Sequence, residues 1–180
     1  MSDDLPEGWM PTPFGVEEAE APQLAAELTR IAAERLPGFE PSEEATAALA
    51  ATITRLPVTS QVIGRVWHAL GPSATGAIAD LSVVEGVAEV PDSPFAHTIP
   101  QKTVPFEAGK AVLSLVAPAE HVRVGMLLRA QRREGDRVLV ADVVGANASV
   151  LGLVLDDVIA LVGGTTSHAG HALATDVRVS

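Results

Sequence analysis

Apolar residues recur at Leu24, Leu28, Ile31 and Leu36 in EEAEAPQLAAELTRIAAERL, with polar residues between them, and this spacing predicts an amphipathic helix. PSEEATAALAATITRL predicts a second, with Ser42 at the N-cap and Glu43 and Glu44 in the first turn. TSQVIGRVWHALG places Val62, Val66, Ala69 and Leu70 on one side and stops at Gly71-Pro72, which predicts a third helix, with a short helical turn through ATGAIADL after it. From Ser82 onward prolines recur at 91, 94, 100 and 105, too often for a regular element, so this stretch reads as a linker or extended edge and carries the domain boundary.

Beyond it the pattern changes. GKAVLSLVAP, VRVGMLLRAQ and DRVLVADVVG are strand-like, with RREGD as a Gly-containing hairpin loop between the last two. SVLGLVLDDVIAL reads two ways: Ser149 caps a helix through Leu151, Leu155 and Val158, or Val158 to Val162 is a buried strand entering Gly163-Gly164. The expected organisation is a flexible tail over 1–15 that Trp9, Met10 and Phe14 pin to a surface, an acidic helical region over 16–81, a Pro-rich linker over 82–105 and a β/α domain over 106–180. The fold class is α+β or α/β.

Composition narrows the function classes. The chain has 180 residues, a 47% hydrophobic and 3% aromatic content, and no tyrosine, so its core is built from Ala, Val, Leu and Ile. Having no cysteine, it has no disulfide, thiolate metal site or cysteine nucleophile. The acidic, proline-rich start and the lack of a long apolar run predict a cytoplasmic protein with no membrane association. A net charge of −11 argues against general affinity for nucleic acid. Most of the excess lies in the first third. Against that trend, Arg123, Arg129, Arg132, Arg133 and Arg137 fall close together, reading as a solvated hairpin face or as an anion or partner surface.

The densest chemistry stands in ALVGGTTSHAGHA. If a helix begins after the glycine pair, Thr165, Thr166 and Ser167 lie where unpaired amides and the helix dipole favour anions, and His168 sits in its first turn as a nucleophile towards phosphoryl groups. The plainer reading is a turn with a threonine cap. His168 and His171 have no third ligand nearby, so no metal is expected. Asp156-Asp157 point in different directions and meet water, His68 beside Trp67 packs, and His97 and His121 have no local constellation. A P-loop, a dinucleotide fingerprint and a Gly-x-Ser-x-Gly elbow are all missing, and no cofactor is expected.

GGTTSH with Ala169 resembles the signature of the phosphohistidine swivelling domain, the mobile domain of phosphoenolpyruvate-utilising enzymes. GDRVLVADVV is similar to that family's strand opened by Gly-Asp, and DDVIALVGG to its strand running into the glycine pair. The resemblance covers roughly residues 109 to 180, with its specific core at Gly163 to Ala169. It implies a swivelling-type β/α domain in which His168 accepts phosphate, Thr165, Thr166, Ser167 and Ala169 flank it, and Gly163 and Gly164 allow close approach. Gly170, His171 and Ala172 follow where the family has an arginine in reach, so either a partner supplies what is missing or the resemblance is one of structural ancestry without the chemistry. Two functions follow as expectations: a phosphocarrier module of a split phosphotransfer system, or a non-enzymatic interaction or assembly subunit that meets a protein partner through its acidic helices.

Overall fold

The structure, a computed structural model, describes residues 5–55, 61–69, 76–87, 90–95, 97–116, 125–145 and 148–163. The chain divides into two compact units, Met1–Ile78 and Ala79–Ser180. All strand pairings described are antiparallel and helices flank them, so the class is α+β.

In unit 1 the two expected helices form as α1 (Ala21–Arg35) and α2 (Glu43–Arg55). Alanines let them approach closely: Ala21, Ala25, Leu28 and Ala32 of α1 share a core with Ala45, Leu49, Ala50 and Ile53 of α2. The Ser42 hydroxyl accepts the Ala45 N–H at 3.1 Å, the expected cap. Ahead of α1, β1 (Trp9–Pro11) pairs with β2 (Val62–His68) in the register Trp9↔His68, Met10↔Trp67.

Three expectations give way here. The 61–71 stretch is a strand over its described part and not a helix, because β-branched and aromatic residues (Val62, Ile63, Val66, Trp67) flank a helix-weakening Gly64 and find a partner strand in β1. The stretch expected as a tail supplies that partner, with Trp9 and Met10 both buried. The turn expected through ATGAIADL is also strand: β3 (Ala77–Glu85) begins there, and the division between units falls two residues into it.

In unit 2 the strand order is β3-β7-β6-β5-β4, with β4 (Thr98–Phe106), β5 (Gly109–Val116), β6 (Gly125–Glu134) and β7 (Arg137–Gly145). The three strands expected after residue 106 and the RREGD hairpin are all present. The proline-rich stretch is in large part strand: it holds the end of β3 and most of β4. Pro100 and Pro105 are tolerated because β4 pairs on one side only with β5, and a register shift falls between Pro100 and Lys102.

The order has a topological consequence. β3 and β4 are consecutive in the chain but four strand spacings apart, about 19 Å. The connection between them has to cross β7, β6 and β5 over one face. Of its described residues, Gly86–Val87 and 90–95 form a strap on that face, where Val90 packs on Val138 and Val140.

On the other face lie α3 (Ala148–Leu153) and α4 (Leu155–Leu161). Leu151, Val154, Leu155, Val158, Ile159 and Val162 are all buried. The spacing of the last four is helical, which settles the ambiguous segment: Val158 to Val162 is not a strand. No described helix is long and apolar enough to cross a membrane.

Candidate functional site

Of the residues singled out in the sequence, Gly163 is described; Gly164, Thr165, Thr166, Ser167, His168 and Ala169 lie outside the described residues. Gly163 follows the end of α4 with φ +72°, and its N–H donates to the Ala160 carbonyl at 2.8 Å. This is a left-handed helix terminus, the conformation for which glycine is the default residue. The Arg132 guanidinium supports it from β6, with Nη1 donating to the carbonyls of Gly163 at 2.9 Å and Val162 at 3.3 Å. A cation at the C-terminal end of a helix satisfies orphan carbonyls and opposes the dipole. A helix therefore enters the glycine pair where the resemblance implied a strand.

The remaining arginines of the sequence cluster are sorted by the alternation of β6. Residues 129, 131 and 133 share one face of the strand, and Arg132 points to the other. Arg129 forms a bidentate pair with Asp142 of β7 (Nε–Oδ1 2.7 Å, Nη2–Oδ2 2.6 Å) and donates a third bond from Nη1 to the Pro91 carbonyl at 2.7 Å. Gln131 Nε2 donates to Asp92 Oδ1 at 2.9 Å, and Lys110 Nζ of β5 meets the same oxygen at 2.6 Å. Arg133 Nη2 donates to the Val87 carbonyl at 3.0 Å. Side chains from β5 and β6 thus hold the strap by its backbone and by one carboxylate. Arg137 pairs with Glu85 in the open, and Arg123 lies outside the described residues.

Beside the strap is an open recess of about 250 Å³. Val90 and Val138 form its apolar side, Lys110, Gln131 and Arg133 its polar side, and Ala108 and Gly109 its rim. The rim is strained. Ala108 is the one described non-glycine residue with positive φ (58°), and its carbonyl accepts the Arg133 N–H at 2.9 Å. At Gly109 a Cβ would collide with the Gln131 carbonyl oxygen and the Phe106 ring, so only glycine lets β5 and β6 approach this closely at that point.

No protein family, curated protein or solved structure matches this chain. The site therefore stands on its own geometry. Among the described residues no group of three His, Asp or Glu is placed to hold a metal. His68 packs edge-on against Trp9 with ring centroids 4.9 Å apart, as a packed histidine would. On unit 1 all glutamates from Glu17 to Glu44 are exposed. There the hydrogen bond from Arg30, reinforced by its charge, holds the Glu27 carboxyl below its usual range, and Glu27 and Glu34 in turn raise the Arg30 value.

Sequence reading missed Lys110, Asp92, Gln131 and Asp142. The signal was present in GMLLRAQRRE: Arg129, Gln131 and Arg133 alternate with Leu128 and Ala130, and a polar row at period two inside a strand marks a face that must meet polar partners.

Proposed function

We propose that this chain is a non-enzymatic protein-interaction or assembly subunit that meets a basic partner through α1, α2 and the segment leading into them. The observation that carries the reading is the uniform exposure of the glutamates from Glu17 to Glu44, which stand on α1, α2 and the segments leading into them, while the buried sides of the two helices are committed to the core. Opposing them on that surface are the described cations Arg30 and Arg35, and Arg30 is already shared between Glu27 and Glu34. A one-sign surface of this kind steers a complementary partner and discriminates against like-charged ones. The test is capture from the native extract followed by charge reversal at Glu17, Glu18 and Glu20. The reading expects a protein retained at low salt, released by about 0.5 M salt where screening is within a few ångströms, and lost with the reversed variant. Retention unchanged by the reversal would overturn it.

A second reading, the phosphocarrier with phosphate on His168, is favoured by one observation: the Arg132 guanidinium lies on the Gly163 carbonyl, so a cation stands beside the glycine pair even though none follows the histidine in sequence. Intact mass after incubation in extract with phosphoenolpyruvate or ATP tests it. An acid-labile gain of one phosphate, absent from His168→Ala, supports it; no gain under either donor rejects it.

A further inference from the structure

We propose that the recess where the starts of α1 and α2 meet seats an arginine side chain of the basic partner, with its stem on the recess floor and its guanidinium on Glu43. This inference rests on the assembly reading and sharpens it from a surface of one charge to a single anchoring position.

The recess lies within unit 1 and has a volume of about 470 Å³. Ligand pockets fall in the range of about 300–1,000 Å³. It exists because the side chains around it are small or ring-locked: Pro22 in the first turn of α1, Pro41 just ahead of α2, and Ala47 and Ala50 on α2. Pro22, Pro41 and Ala47 are exposed, so this surface is open and not packed against another element. The two prolines fix φ on either side of it, which sets its shape before anything binds.

The hydroxyls in the lining are already engaged. Ser42 accepts the Ala45 N–H and Thr46 donates to the Ser42 carbonyl, each at 3.1 Å and both within the start of α2. The floor therefore offers hydrocarbon, and its charge comes from one residue. Glu43 lines the recess, is exposed, and among the described residues has no ion pair or side-chain hydrogen bond. Glu20, Glu40 and Glu44, close in sequence to the lining residues, are unpaired as well. Glu27 and Glu34 are held by Arg30 and do not add to this charge, and neither Arg30 nor Arg35 lines the recess.

These features select the occupant. An aliphatic side chain would cover the floor but leave the carboxylates without a counter-charge, and an anion would be repelled. A short cation would reach Glu43 and leave the floor wet. Arginine meets both demands, with its methylene stem along Pro22, Ala47 and Ala50 and its planar guanidinium donating to the Glu43 carboxylate. Arginine is also enriched among the residues that dominate binding energy at protein interfaces.

The probe is the peptide Ac-Ala-Leu-Arg-Ala-Leu-Arg-Ala-Leu-NH₂. It is compared with a peptide carrying citrulline at both arginine positions, which keeps the stem and loses the charge. A third carries α-amino-β-guanidinopropionic acid there, which keeps the guanidinium and shortens the stem. Amide resonances of the full-length ¹⁵N-labelled protein are followed at low salt as each is added. The proposal expects saturable shifts at Ser42, Glu43, Thr46 and Ala47 with the arginine peptide and much weaker ones with either analogue.

Two variants separate the recess from the charge around it. Glu43→Gln should weaken the arginine peptide about threefold, the size of one exposed charge pair, and leave the citrulline peptide unchanged. Ala47→Leu fills the recess without altering any charge, at an exposed helical position where leucine is well tolerated, and should abolish the saturable shifts while the spectrum away from α2 stays as it was. If the arginine peptide shifts wild type and Ala47→Leu equally, the proposal falls while the charged-surface reading stands. An equal response to arginine and either analogue, or no saturable shift with any probe, also overturns the proposal, and the surface reading is then decided by its own capture and charge-reversal test. Shifts at these residues that grow with protein concentration in the absence of peptide would assign the recess to a second copy of this chain and overturn it likewise.

Discussion

The two units solve the same problem, holding a small sheet against its surroundings, with different chemistry. Unit 1 packs Trp67, Met10 and Phe39 against alanine-rich helix faces, and leaves the indole N–H groups of Trp9 and Trp67 buried without a hydrogen-bond partner. Its cohesion comes from area, at the cost of two unsatisfied donors. The strap face of unit 2 is held by directed bonds: a bidentate Arg129–Asp142 pair, a glutamine, a lysine and a second arginine, most of them on strap carbonyls or on Asp92. Apolar packing tolerates small shifts, while a polar network fixes one arrangement and penalises its partial loss. Unit 1 is therefore specified by how much it buries and the strap of unit 2 by what meets what.

The sharpest way to break this comparison is at its two centres. Trp67→Ala should destabilise unit 1 by about 3–5 kcal/mol in denaturant unfolding, while Trp67→Phe should cost much less, because the indole N–H has no bond to lose. If Trp67→Phe proves as damaging as Trp67→Ala, area is not what holds unit 1. Asp142→Ala strands the Arg129 charge, buried at 7% exposure, and should cost about 3 kcal/mol. Replacing both partners, Arg129→Met with Asp142→Leu, should recover most of that loss in the same assay, yet release the strap to faster amide exchange at 90–95 because the bond to Pro91 goes too.

Smaller effects sharpen the picture at the β4–β5 turn. Gly109→Ala should destabilise by about 1–3 kcal/mol, since the new methyl would have to push aside backbone of β6 and the Phe106 ring. Ala108→Gly should raise the melting temperature slightly, relieving about 1 kcal/mol of left-handed strain less the added flexibility of glycine.

The smallest effect belongs to unit 1. Glu27 has a lowered folded-state pKa, so its pairing with Arg30 contributes at pH values above the ordinary carboxylate range and is lost as pH falls through the lowered value. Melting of Glu27→Gln beside wild type should show a slight deficit at pH 7 that vanishes in acid. A deficit that persists in acid would mean that the carboxylate charge is not its source.

How legible this molecule is depends on whether a signal is local. α1 and α2 show in the sequence because their apolar spacing, the Ser42 cap and the first-turn glutamates all point the same way. The β6–β7 hairpin shows because period-two strands flank a glycine turn. β2 does not, since Val62, Val66 and Ala69 satisfy helical spacing too, and the strand partner that decides the matter lies more than fifty residues earlier at Trp9–Pro11. The prolines of β4 mislead for the same reason: only the sheet order reveals an edge where their missing N–H groups cost nothing. The arginine cluster was visible as composition, but its division between α4 and the strap required knowing which face each residue of β6 presents.

The strap also sets an order of events during synthesis. Its anchors are distant in sequence, with Arg129 and Gln131 standing 38 and 39 residues after the groups they hold. Residues 90–95 leave the ribosome well before β7 exists, and at a synthesis rate of about 5–20 residues per second the wait is about 2–10 s. Throughout that interval Val90 has no valine floor, and Asp92 has no cation until Lys110 of β5 has been made. A chaperone that favours short apolar segments next to acidic residues would meet this stretch first, and the strap can close only as the last element of its sheet.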